Sequence, residues 1–109
     1  MKISFIQPSR NNLKYLKWSY EAIRKNLSHK EHEICVADDF SNDGTLEWCK
    51  ETSQTDPHFK FIRNEGPTRL GHTILYDRLI NEVATNEVVM IYHADMYACP
   101  NFDKYVEKY

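Results

Sequence analysis

The apolar run Ile34-Cys35-Val36-Ala37 breaks off into two adjacent carboxylates, Asp38 and Asp39. A Ser41-Asn42-Asp43-Gly44 turn follows, and Thr45 opens a segment able to start a helix. A short, continuously apolar strand is the kind buried on both faces of a parallel sheet. The carboxyl end of such a strand is where open α/β sheets take their ligands. Acids at that edge suit the hydroxyls or the polar base edge of a nucleotide, and the free N–H groups of the next helix suit an anion. An Asx turn with a capped helix accounts for the same letters. On this segment alone both readings stand.

The rest of the chain extends the alternation. Residues 3–7 form a short apolar strand stopped by Pro8, and Asn11 or Asn12 can cap a helix with apolar positions at Leu13, Leu16, Tyr20, Ile23 and Leu27. That 3-4-3-4 spacing is one helical stripe, the face laid on a sheet. A polar return loop over 28–33 leads to the second strand, 33–37. A shorter helix over 44–54 has Asp43 as its N-cap and Leu46 with Trp48 or Cys49 inward. The third strand is 59–63, after the Asp56-Pro57 turn. Asn64-Glu65-Gly66-Pro67 is a loop, and a helix is expected over 68–84, where Leu75, Leu79 and Val83 make one row. The fourth strand is 88–92, and a last helical turn starts near Pro100. Alternating elements with buried-type strands imply an α/β, Rossmann-like three-layer sandwich, its mainly parallel sheet joined by right-handed crossovers.

A second acidic edge adds to the first. Val88-Val89-Met90-Ile91-Tyr92 is again continuously apolar and ends in His93-Ala94-Asp95. With Pro8-Ser9-Arg10-Asn11 closing the first strand, and Asp38, Asp39, Ser41, Asp43, Gly44 and Thr45 closing the second, the chain resembles the nucleotide-sugar half of a family-2 glycosyltransferase of the GT-A fold. Pro100 and Phe102 match the residues that follow the family's Asp-x-Asp motif, and the likeness runs through essentially the whole chain in order.

The resemblance implies a GT-A nucleotide-diphospho-sugar transferase type of sheet in the order 3-2-1-4, so that the first, second and fourth edges line one crevice. It makes 1–109 a single nucleotide-sugar-binding domain, the N-terminal part of a longer glycosyltransferase. Nucleotide-sugar contacts fall on Pro8, Ser9, Asn11, Asp38, Asp39, Arg69, His93 and Ala94. Of the two acids, opposite strand faces let only one touch the ligand directly; the reading leans to Asp39 and leaves Asp38 open. Arg69, at an expected helix N-terminus, suits phosphate. Arg10 reads better as a solvated surface side chain than as a phosphate contact. A divalent cation, Mn2+ or Mg2+, would rest on Asp95 with His93, and it would stabilise the departing diphosphate as a Lewis acid. His93 departs from the family's usual Asp; an imidazole suits Mn2+ better than Mg2+ and removes one negative charge. A weaker metal site on Asp95 alone, no catalytic metal, a sugar or ribose contact by His93, and a strand-end His with a purely local role stand beside that reading. The implied activity is metal-assisted transfer of sugar from a UDP-sugar to a hydroxyl on a glycan, lipid or protein, with no general base mapped onto this chain. The alternative is a non-catalytic nucleotide-sugar-binding or regulatory domain.

Composition narrows the field. A formal charge of −2, with scattered Lys and Arg, gives no general attraction to nucleic acid. No apolar stretch approaches the ~20 residues needed to span a bilayer. Cys35, Cys49 and Cys99 form no Cys-x-x-Cys pair and read as reduced thiols of a cytoplasmic protein, Cys35 packed in the core. A dinucleotide-type Rossmann domain is disfavoured because residues 7–11 hold no glycine where a pyrophosphate would press on the backbone. Gly66-Pro67-Thr68-Arg69-Leu70 superficially matches the Gly-rich loop of sugar nucleotidylyltransferases, but it follows the third strand, not the first, and Pro67 lacks an N–H. His29, His32, His58 and His72 have no zinc-ligand spacing. An open fourth strand would be an exposed edge and a route to self-association.

Overall fold

The computed structural model describes residues 2–27 and 31–92. Its elements are β1 (Ile3–Ser9), α1 (Leu13–Asn26), β2 (Glu33–Asp39), α2 (Thr45–Thr55), β3 (Phe59–Asn64), α3 (His72–Arg78), continued by a π-helical turn (Leu79–Val83), and β4 (Val88–Ile91). The four strands form one all-parallel sheet in the order β3-β2-β1-β4, as the resemblance implied.

The chain steps from β1 to β2 to β3 in one direction, then returns across the sheet to β4. Right-handed crossovers therefore put α1 and α2 on one face and α3 on the other. Two hydrophobic clusters bear this out. Leu16, Ala22 and Ile23 of α1, Leu27 at its C-cap and Cys49 of α2 pack on Ile3, Phe5, Ile34 and Val36. Leu75 and Leu79 pack on Ile6, Cys35 and Ala37 from the opposite side. Alternation along each strand sorts these side chains, because successive residues point to opposite faces. On the first face Tyr20, Trp48 and Phe59 meet edge to face, with ring centroids 5.5–5.6 Å apart. Each such pair adds about 0.5–1.5 kcal/mol beyond burial.

Two sequence expectations are corrected here. The third helix begins at His72, four residues later than expected, and its last turn widens to π geometry, the Ala84 N–H donating to the Leu79 carbonyl. The row Leu75, Leu79, Val83 keeps its contact with the sheet. His32, expected in a polar loop, is fully buried: its Nδ1 accepts the Ile3 N–H at 3.0 Å and its ring meets Phe5 edge-on. A backbone donor at the start of β1 needs an acceptor, and a neutral imidazole provides one.

The amino ends of the strands are fastened by one carboxylate. Glu33, 4% exposed, accepts from Ser4 Oγ, Lys60 Nζ, the Thr85 N–H and Thr85 Oγ1 at 2.7–2.8 Å. Burial pushes its carboxyl upward, but the Lys60, Thr85 and Ser4 donors outweigh this and bring it down to about 2. The Cys35 thiol donates to the same carboxylate. Cys35 and Cys49 are both buried free thiols; burial raises both, Cys49 to about 12.

Candidate functional site

Register explains how the acidic edge is built. Ser9 stands beside Asp38, Asp38 beside Arg63, and Asp39 beside Asn64. Alternation sends Asp38 to the face of α1 and α2 and Asp39 to the face of α3. Asp38, fully buried, forms an ion pair with Arg63 and accepts the Ser41 N–H at 3.0 Å. Arg63 also donates to the Ser41 carbonyl, so one guanidinium and one carboxylate fix the turn after β2.

Asp39, 3% exposed, is held quite differently. Its Oδ1 accepts from Asn64 Nδ2 at 2.8 Å and the Leu70 N–H at 3.0 Å, and its Oδ2 accepts the Gly71 N–H at 3.1 Å. Burial raises its carboxyl, but the Asn64, Leu70 and Gly71 donors, with the Arg69 charge nearby, outweigh it and leave it below the usual range. This also explains the late start of α3: the N–H groups of Leu70 and Gly71 are committed to Asp39, and Gly71 adopts φ +83°. Arg69 therefore lies in a loop ahead of the helix, not at its N-terminus. Its side chain is exposed and makes no hydrogen bond or ion pair among the described residues.

The tip of β1 is tied to the tip of β2. Pro8 and Ser9 end β1, and Ser9 Oγ is buried with no hydrogen-bond partner among the described residues. Asn11 sits at φ +50°; its N–H donates to Ser41 Oγ and its Oδ1 accepts the Asn42 N–H. Arg10, expected in solvent, is half-buried instead and donates from Nη1 to the carbonyls of Asp39 and Phe40, both at 3.0 Å. Asp43 bridges two helix starts: Oδ2 accepts the Leu13 N–H and Oδ1 the Thr45 N–H. Gly44 takes the N-cap position expected of Asp43. Phe40 adopts φ +58°, a conformation a bulky side chain holds only where its surroundings dictate it. The Arg10 bond to its carbonyl, and its ring against Gly66 and 5.5 Å from the Arg63 guanidinium, do so.

The structure thus gathers Pro8, Ser9, Asn11, Asp38 and Asp39 at the carboxyl ends of adjacent strands, with Arg69 in the loop fastened to Asp39. His93, Ala94 and Asp95 lie outside the described residues, as do Cys99 and the turn expected near Pro100. Among the described residues no three His, Cys, Asp or Glu side chains cluster to hold a metal, and Asp38 and Asp39 already have internal partners. Sequence reasoning missed Arg63 and Asn64. The available signal was an Arg-Asn pair closing the third apolar run, where register sets it against the two acids.

Comparison with known proteins agrees with this architecture. The model of glycosyl transferase family 2 matches residues 4–108. No curated relative matches the sequence. Among solved structures, S. aureus TarS is 25% identical, with a TM-score of 0.78 over 99% of this chain and 19% of that one. TarS 1-349 in complex with UDP-GlcNAc is 25% identical, with a TM-score of 0.75 over 99% of this chain and 30% of that one. The mannosyltransferase PcManGT from Pyrobaculum calidifontis, in complex with GDP-Man and Mn2+, shares the fold at 24% identity, with a TM-score of 0.74 over 95% of this chain and 30% of that one. The chain spans about a fifth to a third of the length of these solved chains. With its motifs in order and its sheet in this topology, the chain belongs to glycosyl transferase family 2.

Proposed function

We propose that residues 1–109 form a single donor-binding domain for a nucleotide-diphosphate sugar, a UDP-sugar, serving transfer of the sugar to a hydroxyl of a glycan, lipid or protein. The observation that carries this reading is the state of Asp39. An ionised carboxylate offers about four lone-pair sites. Three are occupied among the described residues, which leaves one on Oδ2 for a donor on the base or ribose. Ser9 Oγ, buried and lacking a partner among the described residues, is a second group suited to the nucleoside, with Pro8, Asn11 and Asp38 shaping the wall around it. Arg69, exposed beside this wall, suits the diphosphate. The TarS structure with UDP-GlcNAc supports a uridine donor by likeness.

A divalent cation belongs to this reading, with Asp95 its ligand, His93 beside it and Ala94 between them. One carboxylate and one imidazole favour Mn2+ over Mg2+. When bound, the cation would neutralise charge on the departing diphosphate. The chain's own residues would hold the base, orient the diphosphate and keep the nucleoside from water. No residue here is assigned as the base that takes the acceptor's proton.

Calorimetric titration of UDP, with and without Mn2+, tests the proposal. Binding strengthened by Mn2+, with the metal effect lost in Asp95→Ala, is the expected result. Absence of binding under both conditions would favour the alternative, a domain that keeps the scaffold without donor chemistry. The buried free thiols Cys35 and Cys49 support a cytoplasmic setting, and no helix among the described residues is long and apolar enough to cross a membrane. β4 stands last among the described strands, and Ile91 on it is 54% exposed, so self-association through that edge is part of the proposal. Light scattering should show a dimer at high concentration that Ile91→Lys weakens; a strict monomer counts against it.

A further inference from the structure

We infer that Asn64 is a positioning residue of the donor site, acting through Arg69; the inference rests on the donor reading above. All the hydrogen-bonding groups of its amide are engaged. Nδ2 donates to Asp39 Oδ1 and to the Thr68 carbonyl, both at 2.8 Å, and Oδ1 accepts the Gly66 N–H at 3.2 Å. An NH2 has two hydrogens, so neither bond can be kept by moving the other.

The consequence falls on Arg69, which lies between the residues so held. Before it, the Thr68 carbonyl is bound by Asn64. After it, the N–H groups of Leu70 and Gly71 are bound by Asp39, the same carboxylate that Asn64 orients. The backbone on either side of Arg69 is thus fixed, while its guanidinium makes no bond among the described residues. A charged group on a fixed backbone beside the Asp39 wall is preorganised for an anion, because little ordering is left to do on binding. A second seat secures the same loop: the Phe40 ring lies against Gly66, where even a Cβ would come within 2.3 Å of it.

A double-mutant cycle with UDP as the probe tests this. Asn64→Ala and Arg69→Ala are each expected to weaken UDP binding roughly tenfold, and the double variant clearly less than the roughly hundredfold product, since positions in one network do not add and only the part of the Asn64 effect carried by Asp39 survives without Arg69. Asn64→Leu keeps the volume without placing a second carboxylate against Asp39 and loses both donors; it should reproduce the alanine result if the alanine variant folds poorly. Arg69→Ala should melt like the wild type. A merely structural Asn64 would instead weaken binding by the same factor whether or not Arg69 is present, and that multiplicative outcome overturns the inference. So does an Asn64→Ala protein that binds UDP as the wild type does. If the wild type binds no UDP, the donor reading itself falls and takes this inference with it.

Discussion

Asp38 and Asp39 are neighbours in sequence with different work. Asp38 faces α1 and α2 and pairs with Arg63; Asp39 faces the α3 side and holds a loop. Their positions were legible in the sequence, because an apolar run that stops at two acids marks a strand edge. Their partners were not, since Arg63 and Asn64 lie 25 residues away and meet the acids only through strand register. The same holds for His32, whose polar neighbours suggested a loop and whose buried bond to Ile3 depends on β1 running beside it. Removing one partner of a buried ion pair leaves an uncompensated charge, which costs about 3–5 kcal/mol. Arg63→Met is therefore expected to lower the urea midpoint by that much stability. Arg63→Lys should recover part of it, lacking the planar fork that also reaches the Ser41 carbonyl.

At the level of elements, helix and strand periods located all four strands and the two helices on the first face. The third helix was placed four residues early because the run of turn residues ends at Pro67, whereas the Leu70 and Gly71 N–H groups bind the Asp39 carboxylate. Local pattern cannot see an acceptor supplied from another strand. The loop ahead of α3 yields its own prediction. Gly66, at φ +71°, would carry a Cβ only 2.3 Å from Phe40 Cδ2. Gly66→Ala is expected to cost about 1–3 kcal/mol through backbone strain and overpacking. It should also weaken UDP binding by displacing Arg69. Thermal melts and calorimetry measure the two effects, and Phe40→Leu in the same chain should relieve part of the first.

For the molecule as a whole, strand order and the two-faced helix layout followed from alternation, crossover hand and family likeness. What the sequence did not disclose is how the amino ends of the strands are joined, because Glu33 reads as one more polar loop residue. Its folded carboxyl titrates at about 2 against an ordinary 4.5, so its stabilisation is complete above about pH 4.5 and disappears as the pH falls toward 2. That shift corresponds to roughly 3 kcal/mol. Glu33→Gln should be less stable than the wild type by about that amount at pH 7, and the gap should narrow steadily in urea melts taken toward pH 3. A gap independent of pH would assign the loss to shape rather than charge.

Glu33 draws β1, β3 and the approach to β4 onto β2 at the end remote from Asp39. A scaffold moored at its floor does not depend on its rim alone to keep its strands in register. Changes among the loops proposed to grip a donor would then alter what is held while the strands beneath keep their places.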